Sequence, residues 1–159
     1  MNKALAALCV FLIILSGFLW VKVTTLENQV SELQDPSLYE TMTLMQSVVH
    51  KISYAIDNEN VELIDFYIHE LEEATEELIE ADLVYHDQPV GQLTQSMLEP
   101  NIEELEDAVE SGNWDRVQEK NQVMIESCNS CHTSTGFSEV RITEKGESNP
   151  FNQDFSKRD

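Results

Sequence analysis

Apolar residues recur three and four positions apart along most of the chain, with little of the strict alternation a half-buried strand requires, and this predicts an all-α protein. A first segment puts Leu38, Met42, Met45, Val49, Ile52 and Ile56 on one face and stops at Asp57-Asn58-Glu59-Asn60. A second turns Val61, Ile64, Ile68, Leu71, Leu78 and Ala81 inward and carries Glu70, Glu72, Glu73, Glu76, Glu77 and Glu80 largely outward. A loop with His86, Pro89 and Gly91 leads to a third, with Leu93, Met97, Leu98, Ile102, Leu105 and Val109 on its apolar face. Pro100 either kinks this helix or marks its start. The fourth opens after Ser111-Gly112-Asn113 and faces inward with Trp114, Val117, Met124, Cys128 and Cys131. Short connections make consecutive helices antiparallel neighbours, so the expected architecture is an up-down-up-down four-helix bundle over residues 37–136. Asn60-Val61 and Asn113-Trp114 open the second and fourth helices alike, an internal echo consistent with two paired hairpins.

The periodicity fails at both ends. Ala4 to Val21 is an uncharged run flanked by Lys3 and Lys22, close to the length that crosses a bilayer at about 1.5 Å per residue. Phe18, Leu19 and Trp20 occupy the place where small residues would mark a cleavage site, so residues 1–23 read as an uncleaved signal anchor, a transmembrane helix with Trp20 at the interface. Cys9 lies inside that run and reads as an apolar membrane residue. Residues 24–36 continue as a helical stalk, in which Val23, Leu26, Val30 and Leu33 sketch two heptads before Asp35-Pro36-Ser37 ends it. Past Gly136 the spacing is lost, and residues 137–159 read as an irregular tail. Its Phe137, Val140, Ile142, Phe151 and Phe155 are apolar enough that part of it should pack back on the bundle.

Charge narrows the choice of partner. The formal net charge is −21, and Glu59 to Glu110 holds seventeen carboxylates and no Lys or Arg. Nucleic acid is excluded as a partner, because phosphates require a basic surface. A protein with a basic docking surface fits, although most of this acid serves to keep a helical surface solvated.

The chemistry is concentrated in Cys128-Asn129-Ser130-Cys131-His132. Cysteines three apart on a helix share a face, and the following histidine lies on the same side, one residue further round. C-x-x-C-H is the attachment signature of c-type haem: two thiols for the vinyl groups and an imidazole for the iron. Three other readings compete. Zinc needs a fourth ligand, and only Cys9 remains. A dithiol redox motif expects a βαβ context. A structural disulfide leaves the histidine without a role.

Four helices with C-x-x-C-H late in the last one resemble the class II cytochromes c, the cytochrome c prime family. The likeness covers about Leu38 to Gly136 in pattern and is sharp at Cys128, Cys131 and His132. The resemblance implies one covalent haem c, thioethers at Cys128 and Cys131, His132 as proximal iron ligand, and attachment on the outer face of a bacterial inner membrane, with the bundle in the periplasm. The family's basic residue shortly after the histidine is replaced by Thr133-Ser134-Thr135-Gly136-Phe137, so propionate contacts and gas binding are not carried over. The C-H-x-x-T-G-F run and Asn149-Pro150-Phe151-Asn152-Gln153-Asp154-Phe155 also look like a set of small bacterial mono-haem cytochromes c.

In that family the first helix supplies the distal side of the iron. Met42 is the first candidate here and Met45 the alternative; both also suit a plain core role. His50 sits on the flank of the apolar stripe, His69 among carboxylates, and His86 beside Asp87 in a loop. The reading is a membrane-anchored electron carrier and not an enzyme, since no nucleophile is paired with a base. Two alternatives stay open: a five-coordinate haem module that binds NO or CO, and a non-haem acidic interaction protein with a redox disulfide. A homodimer assisted by the stalk is also open.

Overall fold

The computed structural model describes the backbone of residues 3–34 and 38–157, and the side chains of residues 9, 11–25 and 38–157. The chain divides into two units, Met1–Pro36 and Ser37–Asp159.

The first unit is one helix, α1 (Lys3–Gln34), whose described apolar side chains from Phe11 to Val21 are exposed. Among the described residues no helix is long and apolar enough to cross a membrane. The side chains of Ala4–Leu8 and Val10 lie outside the described residues, and what remains of the apolar run is shorter than the roughly 20 residues a span needs. The expected membrane anchor is therefore not shown here. The backbone of residues 24–34 continues α1, while the side chains of the stalk positions Leu26, Val30 and Leu33, and the whole of the expected stop at Asp35-Pro36-Ser37, lie outside the described residues.

In the second unit the chain runs α2 (Leu38–Asp57), α3 (Val61–Glu80), a hairpin of β1 (Val84–Tyr85) and β2 (Gln88–Pro89), then α4 (Val90–Met97), α5 (Glu99–Glu110) and α6 (Trp114–Ser134). α2 packs chiefly on α3, and α5 on α6; α3 also meets α5, and α2 meets α6, so two helical hairpins share one core. The Asn60 and Asn113 side chains each cap a helix, accepting from the amides of Leu63 and Arg116 at 3.2 Å. Such caps contribute about 1 kcal/mol each. Ile52, Ile64, Ile68, Leu71, Leu78, Ile102, Leu105 and Met124 are fully buried, at about 1.5–3 kcal/mol of burial apiece.

Four details depart from the sequence pattern. The third helix begins at Val90 and is broken at Leu98, and Pro100 lies in the first turn of α5, where its missing N–H costs nothing. Ala81, expected inside, is the exposed C-cap residue of α3. The core stripe of α6 also includes a polar residue, Asn121, which is buried and donates to Ser53 Oγ at 3.0 Å. The fourth detail is the hairpin, which turns on His86 and Asp87, both with positive φ (48° and 62°) as a two-residue type I′ turn demands.

Residues 137–157 hold no helix or strand, yet they are tied down along their length. Phe155 and Ile142 are buried, and Tyr54 packs on both Phe151 and Phe155. The Tyr54 hydroxyl lies 2.9 Å from Gly146 O and 2.8 Å from Ser148 O, Asn60 Nδ2 donates to Phe155 O and Ser156 O, and Lys145 pairs with Asp57.

Candidate functional site

A cavity of about 590 Å³ opens between α2, the hairpin, α4 and the end of α6. Its walls are mostly apolar. From α2 come Met42 and Met45, the first half-buried and the second 6% exposed. From α6 come Cys128, Cys131 and His132. The five residues singled out in the sequence thus line one space, and it is large enough for a cofactor or drug-sized molecule.

Burial pushes the Cys128 thiol up to about 12, helped by the neighbouring Cys131, and raises the Cys131 thiol as well. The pair lies in the last turns of α6, where the negative end of the helix dipole also disfavours a thiolate. Reactive dithiols need the opposite, a lowered pKa near a helix N-terminus or a cation. Among the described residues no group of three His, Cys, Asp or Glu side chains converges as a metal-binding set. Neither a redox dithiol nor a zinc knuckle is favoured by these surroundings.

His132 is held by its own chain. Its Nδ1 lies 2.6 Å from Val140 O. A carbonyl only accepts, so Nδ1 carries the proton and Nε2 keeps its lone pair free for a metal. The helix end makes this contact possible: Gly136 adopts φ 87°, its amide reaches Thr133 O at 3.2 Å, and the Phe137 amide reaches His132 O at 2.7 Å. That paired arrangement ends a helix in a left-handed residue, a conformation glycine takes without strain. The chain then turns back so that Phe137, Val140 and Ile142 all line the cavity. Asn129 fixes the return, accepting from Ile142 N at 2.7 Å and donating to Ile142 O at 3.0 Å while itself buried.

The hairpin supplies another wall. Tyr85 faces the cavity, with His86 stacked edge-on at 4.4 Å and Phe137 5.9 Å from its ring. Close approach sets this wall's position: a Cβ on Gly91 would come within 2.6 Å of Leu78 O, so only glycine lets α4 start hard against the end of α3. Of the other histidines, His50 donates from Nε2 to Thr143 O at 3.1 Å and His69 lies beside Glu72 and Glu73; neither lines the cavity. The sequence reading missed Asn129, Tyr85 and the Val140 carbonyl. Only Thr135-Gly136-Phe137 carried a local signal, a glycine placed to end a helix next to an apolar hook.

No family model, curated protein or solved structure matches this chain. The functional reading rests on the residues of the cavity.

Proposed function

We propose that this protein is a mono-haem c-type cytochrome that carries single electrons, resembling the class II cytochromes c in its attachment motif and bundle pattern. The observation that carries the reading is the convergence of Cys128, Cys131, His132, Met42 and Met45 on one apolar cavity of about 590 Å³. The residues fit the group: two thiols one helical turn apart, an imidazole whose Nδ1–H is already engaged, and thioether sulfurs from a second helix.

Cys128 and Cys131 would hold haem c through thioether bonds, and His132 would bind its iron from the proximal side. Met42 is the candidate distal ligand, with Met45 as the alternative. When bound, the haem supplies a one-electron iron couple, whose potential a thioether ligand raises. The chain's own contributions are separate from that couple. The mostly apolar walls would hold the ring against a non-polar surface. The Val140 carbonyl orients the His132 ring and holds the tautomer that leaves Nε2 free.

The finer architecture belongs to the same proposal: an up-down-up-down bundle in the periplasm, held at a bacterial inner membrane by the uncharged run Ala4–Val21, with an electron partner that presents a basic surface. The net charge of −21 supports a partner of that kind.

A pyridine haemochrome assay on the chain expressed with and without a cytochrome c maturation system tests the cofactor. Haem retained through denaturation only with the maturation system supports the reading; a colourless protein in both hosts overturns it. Optical spectra of Met42→Ala and Met45→Ala then separate the distal assignments. Loss of a low-spin spectrum in one variant names the ligand. A wild-type protein that is already high-spin and changes with CO would move the reading to gas binding.

A further inference from the structure

We propose that Asn129 and His50 are positioning residues for the iron ligand: together they pin residues 140–143 as a strap at the end of α6, and the strap holds the His132 imidazole in one orientation and one tautomer, with Nε2 unprotonated. For the metal this rests on the proposed haem site; the strap itself is a property of the polypeptide alone.

The contacts fall within a few consecutive residues. The Val140 carbonyl lies 2.6 Å from His132 Nδ1. The Ile142 N–H donates to Asn129 Oδ1 at 2.7 Å, and Ile142 O accepts from Asn129 Nδ2 at 3.0 Å. Thr143 O, next along, accepts from His50 Nε2 at 3.1 Å. Asn129 and His132 belong to α6 and His50 to α2, so the strap ties together two helices that both line the cavity.

Packing alone does not place the Val140 carbonyl. The Val140 side chain is 47% exposed, and residues 137–157 form no helix or strand whose ladder would hold it. Its position is set from both sides instead. The Val140 N–H closes a turn onto Phe137 O at 2.9 Å, and two residues later Ile142, 7% exposed, is clasped by the buried Asn129. An asparagine side chain can donate and accept at once, so it satisfies both backbone groups of one buried residue; an aspartate only accepts. The far end of the tail is anchored separately, around Tyr54, Tyr67 and Phe155.

The consequence for His132 is a fixed tautomer. A ring nitrogen that donates to a carbonyl keeps its proton, and the other nitrogen is left as the metal-binding atom. Releasing the strap lets the ring turn and exchange between its two neutral forms. A net hydrogen bond of this kind biases that balance roughly two- to tenfold.

The test is nitrogen NMR of the histidine rings in the full chain, isotope-labelled at histidine, in detergent micelles, without haem and at a pH where imidazoles are neutral. Asn129→Ala is compared with wild type and with Phe155→Ala, which empties a buried site in the distant anchor and leaves the strap bonds in place. A His132 signal dominated by the Nδ1–H form is expected in wild type and in Phe155→Ala. In Asn129→Ala the ratio of the Nδ1–H to the Nε2–H form should fall roughly two- to tenfold, and His50→Ala should lower it too. An unchanged ratio in Asn129→Ala or in His50→Ala, or an equal fall in Phe155→Ala, would overturn the proposal, and His50→Ala decides alone if the Asn129→Ala chain fails to fold. A fixed His132 tautomer in a chain that takes up no haem in a maturation-competent host supports the strap and ends only the proposed function.

Discussion

Asn129 sits between the two cysteines of the motif, and the structure gives it work unrelated to either. Its side-chain amide pairs with both the N–H and the C=O of Ile142, at 2.7 and 3.0 Å, as a neighbouring strand would. This brings the tail past the cavity and sets the Val140 carbonyl, two residues back, against His132 Nδ1. Asn129→Ala removes both bonds and leaves two backbone groups of a buried residue unpaired. At about 1–3 kcal/mol per orphaned group, tempered by partial access of water, the cost is about 2–4 kcal/mol. For a unit of this size a kcal/mol corresponds to roughly 4 °C, so the melting temperature should fall by about 8–16 °C. The assay is a circular-dichroism melt of the variant beside Ser130→Ala, whose exposed hydroxyl only returns to Glu126 O and whose loss should cost about 0.5 kcal/mol or less. A shift for Asn129→Ala as small as that of Ser130→Ala would refute the claim that this amide anchors the tail.

Other consequences follow from the same packing. Phe155→Ala empties a buried site against Tyr54 and Tyr67 and should cost about 3–5 kcal/mol in chemical denaturation, whereas exposed Phe66→Ala should cost far less. Gly91→Ala forces a Cβ against Leu78 O and should destabilise the protein despite alanine's better helix propensity; an unchanged melting temperature would contradict the close approach of α4 to α3. Acid should act on Glu72 and Asp65, both held above the usual carboxylate range by burial and by carboxylate neighbours. A carboxylate with its folded pKa above its unfolded one binds protons first in the folded state, so these two groups add stability as pH falls from 7 through their folded pKa values. Their contribution levels off below the unfolded values. Glu72→Gln should flatten that rise in urea midpoints as pH is lowered from 7 towards the ordinary carboxylate range. Association with a basic redox partner should slow as salt increases, and stopped-flow rates independent of ionic strength would remove the steering argument.

How far the sequence foretold this arrangement depends on the range of the interaction. Helix faces were legible because burial repeats every three to four residues: Val49, Ile52 and Ile56, or Ile64, Ile68 and Leu71, fall where the period puts them. The helix starts at Asn60 and Asn113 were legible as well, each being a local signal, and the structure adds the capping bonds. Cys128, Cys131 and His132 could be picked out as a group because their spacing is chemical as well as helical. The tail was not legible in the same way. Its order comes from Tyr54, Asn60, Tyr67 and Asn129 reaching carbonyls and side chains 13 to 96 residues distant, and contacts of that kind leave no periodic trace. Asn121 in the core stripe was unreadable for a related reason, since its partner Ser53 lies on another helix. The His86-Asp87 turn was missed because the usual asparagine-glycine signal of a type I′ hairpin is absent.

The central claim is that the Cys128 and Cys131 thiols are covalently joined to one haem whose iron His132 binds. Intact mass spectrometry of the full chain made in a host with cytochrome c maturation tests it most directly, with the Cys128→Ser/Cys131→Ser variant as control. One porphyrin added to the wild-type chain and none to the variant is the predicted result. A wild-type chain that leaves the same host at its bare polypeptide mass would contradict the account.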